Sequence, residues 1–132
     1  MMMDGGAPVC GLDVSLAVVG GKWKPLILYH LQSGPRRFAE VKRLVGGISE
    51  KVLIQQLREL VAVGVLVRRD HQRVPPMVDY SLTPLGTTLV HALMPLCEWG
   101  TEHRRQVTEA MHAVSAPVGT AGNNAVPATP MA

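Results

Sequence analysis

Apolar residues recur at helical spacing along most of the chain, and the clearest run is GGISEKVLIQQLRELVAVGVL, residues 46–66. Ser49 suits the N-cap, where its hydroxyl accepts from a free backbone N–H of the first turn. Ile48 and Leu53 stand at the spacing of a hydrophobic staple, and Glu50 lies where the helix dipole favours an anion. Val52 occupies the position a capping box would give to Glu or Gln. Gly64 follows the last periodic residue and ends the helix in the left-handed conformation. At about 100° per residue, Leu53, Leu57, Leu60 and Val61 fall on one side. Lys51, Val52, Gln55 and Arg58 gather on the other, a polar face that in most helices is only solvated.

The neighbouring segments give this helix a context. GLDVSLAVVGGKW reads as a short helix closed by Gly20 and Gly21. KWKPLILYHLQSG is a second, with Pro25 in its first turn, Leu26, Ile27 and Leu31 facing inward, and Gly34 at its end. PRRFAEVKRLVGG is a third, with Phe38, Val41, Leu44 and Val45 at helical spacing. Its closing Gly46-Gly47 leads directly into the Ser49 helix, and two helices joined by a tight glycine turn predict a helix-turn-helix. After Gly64 the period changes. VLVRR and MVDYSLT are β-prone runs around DHQRVPP, which predicts a hairpin with a loop longer than a tight turn; Pro75 and Pro76 keep the loop end out of regular pairing. TPLG restarts a helix with Thr83 as N-cap and Pro84 at its first position. Leu85, Leu89 and Leu93 form its inner stripe, Pro95 should kink it or begin another, and Leu96, Trp99 and His103 continue the stripe. The expected fold is therefore mainly α with a small β-hairpin wing (α+β), in a domain over residues 9–112. Residues 1–8 read as a flexible leader. Residues 113–132, uncharged and without periodicity, read as a disordered tail.

Composition narrows the function classes. At 132 residues one domain is expected. Hydrophobic residues make up 47% and aromatics 4%, so the core must be mostly Leu, Val and Ala. No apolar run approaches the ~18 residues of a membrane span. No basic residue precedes the short apolar VSLAVVGG, so a signal peptide is not expected, and a cytoplasmic setting without membrane association is. Cys10 and Cys97 form no CxxC pair or zinc-type cluster, and the histidines are scattered, so neither metal nor cofactor is expected. The formal net charge is +3. Between residues 36 and 73 there are nine Lys and Arg (Arg36, Arg37, Lys42, Arg43, Lys51, Arg58, Arg68, Arg69 and Arg73) against four acids. That local excess exceeds the excess of the whole chain, as an electrostatic footprint on nucleic acid would require.

The segments GGKW, RRFAE, GISEKVL, LRELVAVGVLVRR, VPPMVDYSLTPLG and EWG follow one another between about Cys10 and Gly100. Together they resemble an HxlR-type transcriptional regulator, a bacterial family near the MarR group. The chain departs from that pattern at Ile54, where members often carry a hydroxyl residue, and in VAVG, where an acidic run is more usual. The resemblance implies a winged helix-turn-helix with terminal dimerisation helices, a homodimer on double-stranded DNA at a pseudo-palindromic operator. The Ser49 helix then becomes the recognition helix in the major groove. Ser49 stands at its entry. Lys51 can donate to guanine O6 and N7, Gln55 can pair with adenine N6 and N7, and Val52 can touch a thymine methyl. Arg58 reaches phosphate. In the wing, Arg68, Arg69, His71 and Arg73 would reach phosphate or the minor groove, with strand alternation putting only one of Arg68 and Arg69 on the DNA side. Arg36 and Arg37, ahead of the third helix, would contact backbone phosphate. Dimerisation would use Leu12, Leu16 and Val19 of the first helix with Leu89, Leu93, Leu96 and Trp99.

Cys10 lies just ahead of the first helix, where a subset of the family carries a regulatory cysteine. The resemblance therefore implies a thiol switch answering a small oxidant or electrophile, such as a quinone or aldehyde, with Lys22 or Lys24 as activators if the fold brings them near. The plainer reading is an inert, half-buried cysteine, and Cys97 reads as a small packing residue. Other classes compete. A winged-helix protein-interaction module without DNA binding should carry a neutral recognition helix and wing, contrary to the basic residues counted above. A regulator answering a small ligand without a thiol switch remains open. A thiol enzyme using Cys10 lacks a paired base or an oxyanion arrangement, so no enzyme activity is expected.

Overall fold

The helix that Ser49 opens runs Glu50–Ala62. The Ser49 hydroxyl accepts from the Val52 N–H at 3.1 Å, and Ile48 and Leu53 are both buried, as a staple requires. In the computed structural model, residues 10–115 are described. Their elements are α1 (Leu12–Val19), α2 (Trp23–Leu31), β1 (Arg36–Arg37), α3 (Phe38–Val45), α4 (Glu50–Ala62), β2 (Leu66–Asp70), β3 (Val78–Leu82), α5 (Pro84–Glu102) and α6 (Arg104–Ser115). The chain divides at Pro95 into two units. The first holds α1 to the greater part of α5; the second holds the end of α5 and α6.

In the first unit, α3 and α4 are joined through Gly46 and Gly47, both left-handed at φ 72° and 74°. Consecutive left-handed residues are tolerated by glycine and by little else. Leu53, Leu57 and Leu60 of α4 pack with Ile27, Leu28 and Leu31 of α2, Val41 of α3 and Leu66 of β2 in one core. Thr83 ties the start of α5 to this core. Its hydroxyl donates to the Gly64 carbonyl at 2.6 Å and accepts from the Gly86 N–H at 3.0 Å. Gly86 lies so close to the Val65 carbonyl oxygen that no Cβ would fit.

The hairpin is part of a larger sheet. β3 is central in the order β1-β3-β2, with both pairings antiparallel. β1, two residues that read as the entry to α3, is a third strand registered Arg36↔Tyr80 and Arg37↔Asp79. Other expectations shift as well. Leu28, not Leu26, is buried in α2, and Leu26 is exposed. Leu85 is exposed because the first turn of α5 brings Gly86, the next residue, onto Val65. α5 continues through Pro95, and the new helix begins only at Arg104. Residues 113–115, expected to belong to a tail, are helical: α6 runs to Ser115, whose hydroxyl donates to the Met111 carbonyl at 3.0 Å. Residues 116–132 and the expected leader 1–8 lie outside the described residues.

Candidate nucleic-acid interface

With Leu53, Leu57 and Leu60 turned into the core, the rotation of α4 leaves Ser49, Lys51, Val52, Gln55 and Arg58 on the outside, all exposed. This face is not a set of independent side chains. Gln55 Nε2 donates to Glu59 Oε2 at 2.6 Å, one turn along the helix. The other oxygen of Glu59 is held by Lys24 of α2 at 2.6 Å, and Lys24 Nζ also donates to Gln56 Oε1 at 3.0 Å. Hydrogen bonds from Lys24 and Gln55, with the Lys24 charge behind them, hold the Glu59 carboxyl below the usual carboxylate range. Lys24 is therefore committed to α4, and Lys22 Nζ lies 4.5 Å from the centre of the Trp23 ring.

The sheet sorts its arginines by face, because residues directly opposite one another across strands point to the same side. Arg37, Asp79 and Arg69 form one row, and Arg36, Tyr80 and Arg68 the other. Tyr80 packs against the core, so Arg37 and Arg69 belong to the outer face. Arg36 is used within the fold: Nε donates to the His30 carbonyl at 2.8 Å and a terminal nitrogen to Ser33 Oγ at 3.0 Å. That engagement leaves Arg36 a weak candidate for phosphate, unlike the exposed Arg37. At the centre of the Arg37 row, Oδ2 of Asp79 lies 2.9 Å from His71 Nε2; Asp79 is buried, and its Oδ1 has no hydrogen-bond partner among the described residues. The expected wing contact His71 is thus also a wing brace, seconded by its backbone N–H on the Met77 carbonyl at 2.9 Å. Arg73 stands exposed in the loop between β2 and β3.

The residues expected at a dimer surface separate into two groups. Val19 is buried and Leu89 and Leu93 pack against the same core, so these three serve the protomer itself. Leu12 and Leu16 on α1 are exposed, as are Leu96 and Trp99 in the second unit. That unit also exposes Met111 and Val114 of α6, which the sequence reading passed over. Their spacing with Val107 (four, then three residues) was a legible helical stripe. The pairing of Lys24, read as a possible activator of Cys10, with Glu59 was not legible for a different reason: the two meet only once α2 and α4 have packed. Cys10 is exposed, and so is Cys97, which therefore is not the packing residue expected. Among the described residues no group of three or more His, Cys, Asp and Glu could hold a metal ion, and no helix is long and apolar enough to cross a membrane.

A glycine-turned helix pair whose second helix shows a polar outer face, followed by a strand-loop-strand wing, defines the winged helix-turn-helix class of transcriptional regulators. The chain belongs to the HxlR-like helix-turn-helix family, whose model matches residues 18–108. It is 48% identical over 97 residues to the HTH-type transcriptional regulator YkvN of Bacillus subtilis (strain 168), covering 74% of this chain and 82% of YkvN. Among solved structures it resembles the redox regulator HypR in its reduced form, with TM-score 0.72 and 39% identity over 76% of this chain and 99% of that one. The oxidised form of HypR gives TM-score 0.67 and 42% identity over 70% and 96%. The protein is a transcriptional regulator of the helix-turn-helix type and not an enzyme.

Proposed function

We propose that this regulator binds duplex DNA sequence-specifically as a homodimer on a pseudo-palindromic operator, with α4 in the major groove and the sheet and its loop against the backbone. The observation that carries the reading is the division of α4: three leucines in the core, and Lys51, Val52, Gln55 and Arg58 exposed on the opposite side. One such helix reads only a few base pairs, so useful specificity favours two related by a two-fold axis. Arg37, Arg69 and Arg73 supply phosphate contacts, Lys51 and Gln55 base contacts. Log K should then fall with log salt by about 0.9 for each phosphate neutralised. Arg73→Ala should weaken binding to all sequences alike, whereas Gln55→Ala should relax the preference at one base pair in each half-site, by ~1–3 kcal/mol. Binding that does not respond to salt would remove the electrostatic basis of the reading.

A second element rests on Cys10, exposed at the entry to α1, and on the likeness to a redox regulator known in two oxidation states. Oxidation of Cys10 lowers operator affinity. Two Cys10 thiols, one from each protomer, would give up two protons and two electrons to an oxidant such as diamide and form a disulfide across the dimer. A hundredfold loss of affinity needs only ~2.7 kcal/mol of difference between the states. Operator binding by the wild type should fall with diamide and return on reduction, while Cys10→Ser should not respond. An equal response in Cys10→Ser would refute the switch and leave a small ligand as the candidate signal.

A further inference from the structure

Glu59 joins the outer face of α4 to the body of the protein. It faces the DNA side closely enough to take the Gln55 amide at 2.6 Å, and it is itself anchored from behind by Lys24, whose side chain is largely buried. A carboxylate can only accept. The Gln55 amide must therefore turn its nitrogen, not its oxygen, toward Glu59, and the flipped rotamer would set two oxygens against each other. The amide has two N–H donors and one carbonyl oxygen. One donor is consumed by Glu59. What remains to face a base is one acceptor and one donor.

Resting on the reading of Gln55 as a base contact, we infer that Glu59 is a positioning residue that sets the base preference of Gln55, favouring adenine over guanine. Adenine offers an N6 donor and an N7 acceptor in the major groove, the complement of what Glu59 leaves free. Guanine offers two acceptors, O6 and N7, and would need both amide hydrogens, of which Glu59 holds one. Lys24 fixes the carboxylate on the body of the protein, so the amide is oriented before DNA arrives and little rotamer freedom is lost on binding. Glu59 touches no base in this scheme; it acts entirely through Gln55.

The test measures relative affinity for operators carrying A·T or G·C at the base pair that Gln55 reads, for wild type, Gln55→Ala, Glu59→Ala and Glu59→Gln. Both Glu59 variants lose the ion pair with Lys24, but Glu59→Gln keeps a carbonyl oxygen that can accept from Gln55. Glu59→Ala should therefore lose about tenfold of the adenine preference, the scale of one bidentate base contact, while Glu59→Gln retains most of it. The salt dependence of binding should be the same in all four proteins. If Gln55→Ala changes the preference and Glu59→Ala does not, Gln55 reads a base without help and the inference fails alone. Equal loss in Glu59→Ala and Glu59→Gln would assign the effect to the ion pair and also overturn it. If Gln55→Ala leaves the preference unchanged, the base-contact reading fails and takes the inference with it.

Discussion

His30 and Glu59 show how single side chains tie this fold to pH. His30 is held below its ordinary value of 6.5, first by burial and then by the positive charge of Arg36, whose Nε binds the His30 carbonyl. The folded state thus favours neutral imidazole. As pH falls below the ordinary histidine range the unfolded chain takes up this proton first, and stability is lost. The Glu59 carboxyl is also lowered, so its contribution is present above the ordinary carboxylate value and is lost as pH falls from there through the lowered folded value. Both effects weaken the protein on acidification, in separate windows. The thermal midpoint should decline on acidification between about pH 7 and pH 3. His30→Gln should lessen the decline in the upper part of that range and Glu59→Gln in the lower. A midpoint that rises on acidification through the histidine range would contradict the assignment of His30.

Among the elements, the junction of β2 and α5 is the most exacting. Gly86 sits in the first turn of a helix, where alanine would ordinarily gain up to about 1 kcal/mol from helix propensity. The Val65 carbonyl occupies the space of the missing side chain, and backbone cannot step aside as a side-chain end could. Gly86→Ala should destabilise the protein by about 1–3 kcal/mol, the usual scale of overpacking, in chemical denaturation; a net gain in stability would show that the contact yields. Such a contact is invisible in the sequence, which at TPLG offers only a helix start. α4, in contrast, was legible from end to end, because its cap, staple, apolar period and terminal glycine all lie within one contiguous stretch. So was its outer face, with Lys51, Gln55 and Arg58. β1 was not, since two arginines carry no period and become a strand only by meeting β3 far along the chain. The apolar cluster Leu26-Ile27-Leu28 gave no period that could separate the inner residues from the outer one. The commitments of Arg36 to His30 and of Lys24 to Glu59 likewise exist only after tertiary packing.

At the scale of the whole molecule, several large apolar residues stand exposed on the protomer. Leu12 and Leu16 are 62% and 60% exposed on α1, and Leu96 and Trp99 are 64% and 54% exposed in the second unit. Leucines and a tryptophan left this open are the raw material of an interface, where aromatic anchors carry much of the binding energy. Light scattering at micromolar concentration should give a dimer mass, and Leu16→Arg should shift it toward the monomer with the fold intact. Leu93→Arg should behave differently. Leu93 packs on the protomer's own core, so a charge there should lower the thermal midpoint before it alters mass. A wild-type monomer, or a Leu16→Arg variant that dimerises as tightly as the wild type, would contradict the assembly.

The pairing of β1 with β3 governs the order in which the molecule comes together. Arg36 meets Tyr80 across a loop that contains α3, α4 and β2, and closing such a loop costs entropy that a two-residue strand cannot offset by itself. α2, α3 and α4 pack together over a shorter span of chain and close smaller loops, so their docking is favoured ahead of the strand. In that order α4, with Lys51 and Gln55 on its outer side, is in place before Arg37 and Arg69 stand in one row beside Asp79. The positive charge of the sheet is then gathered on one face only as the last strand joins.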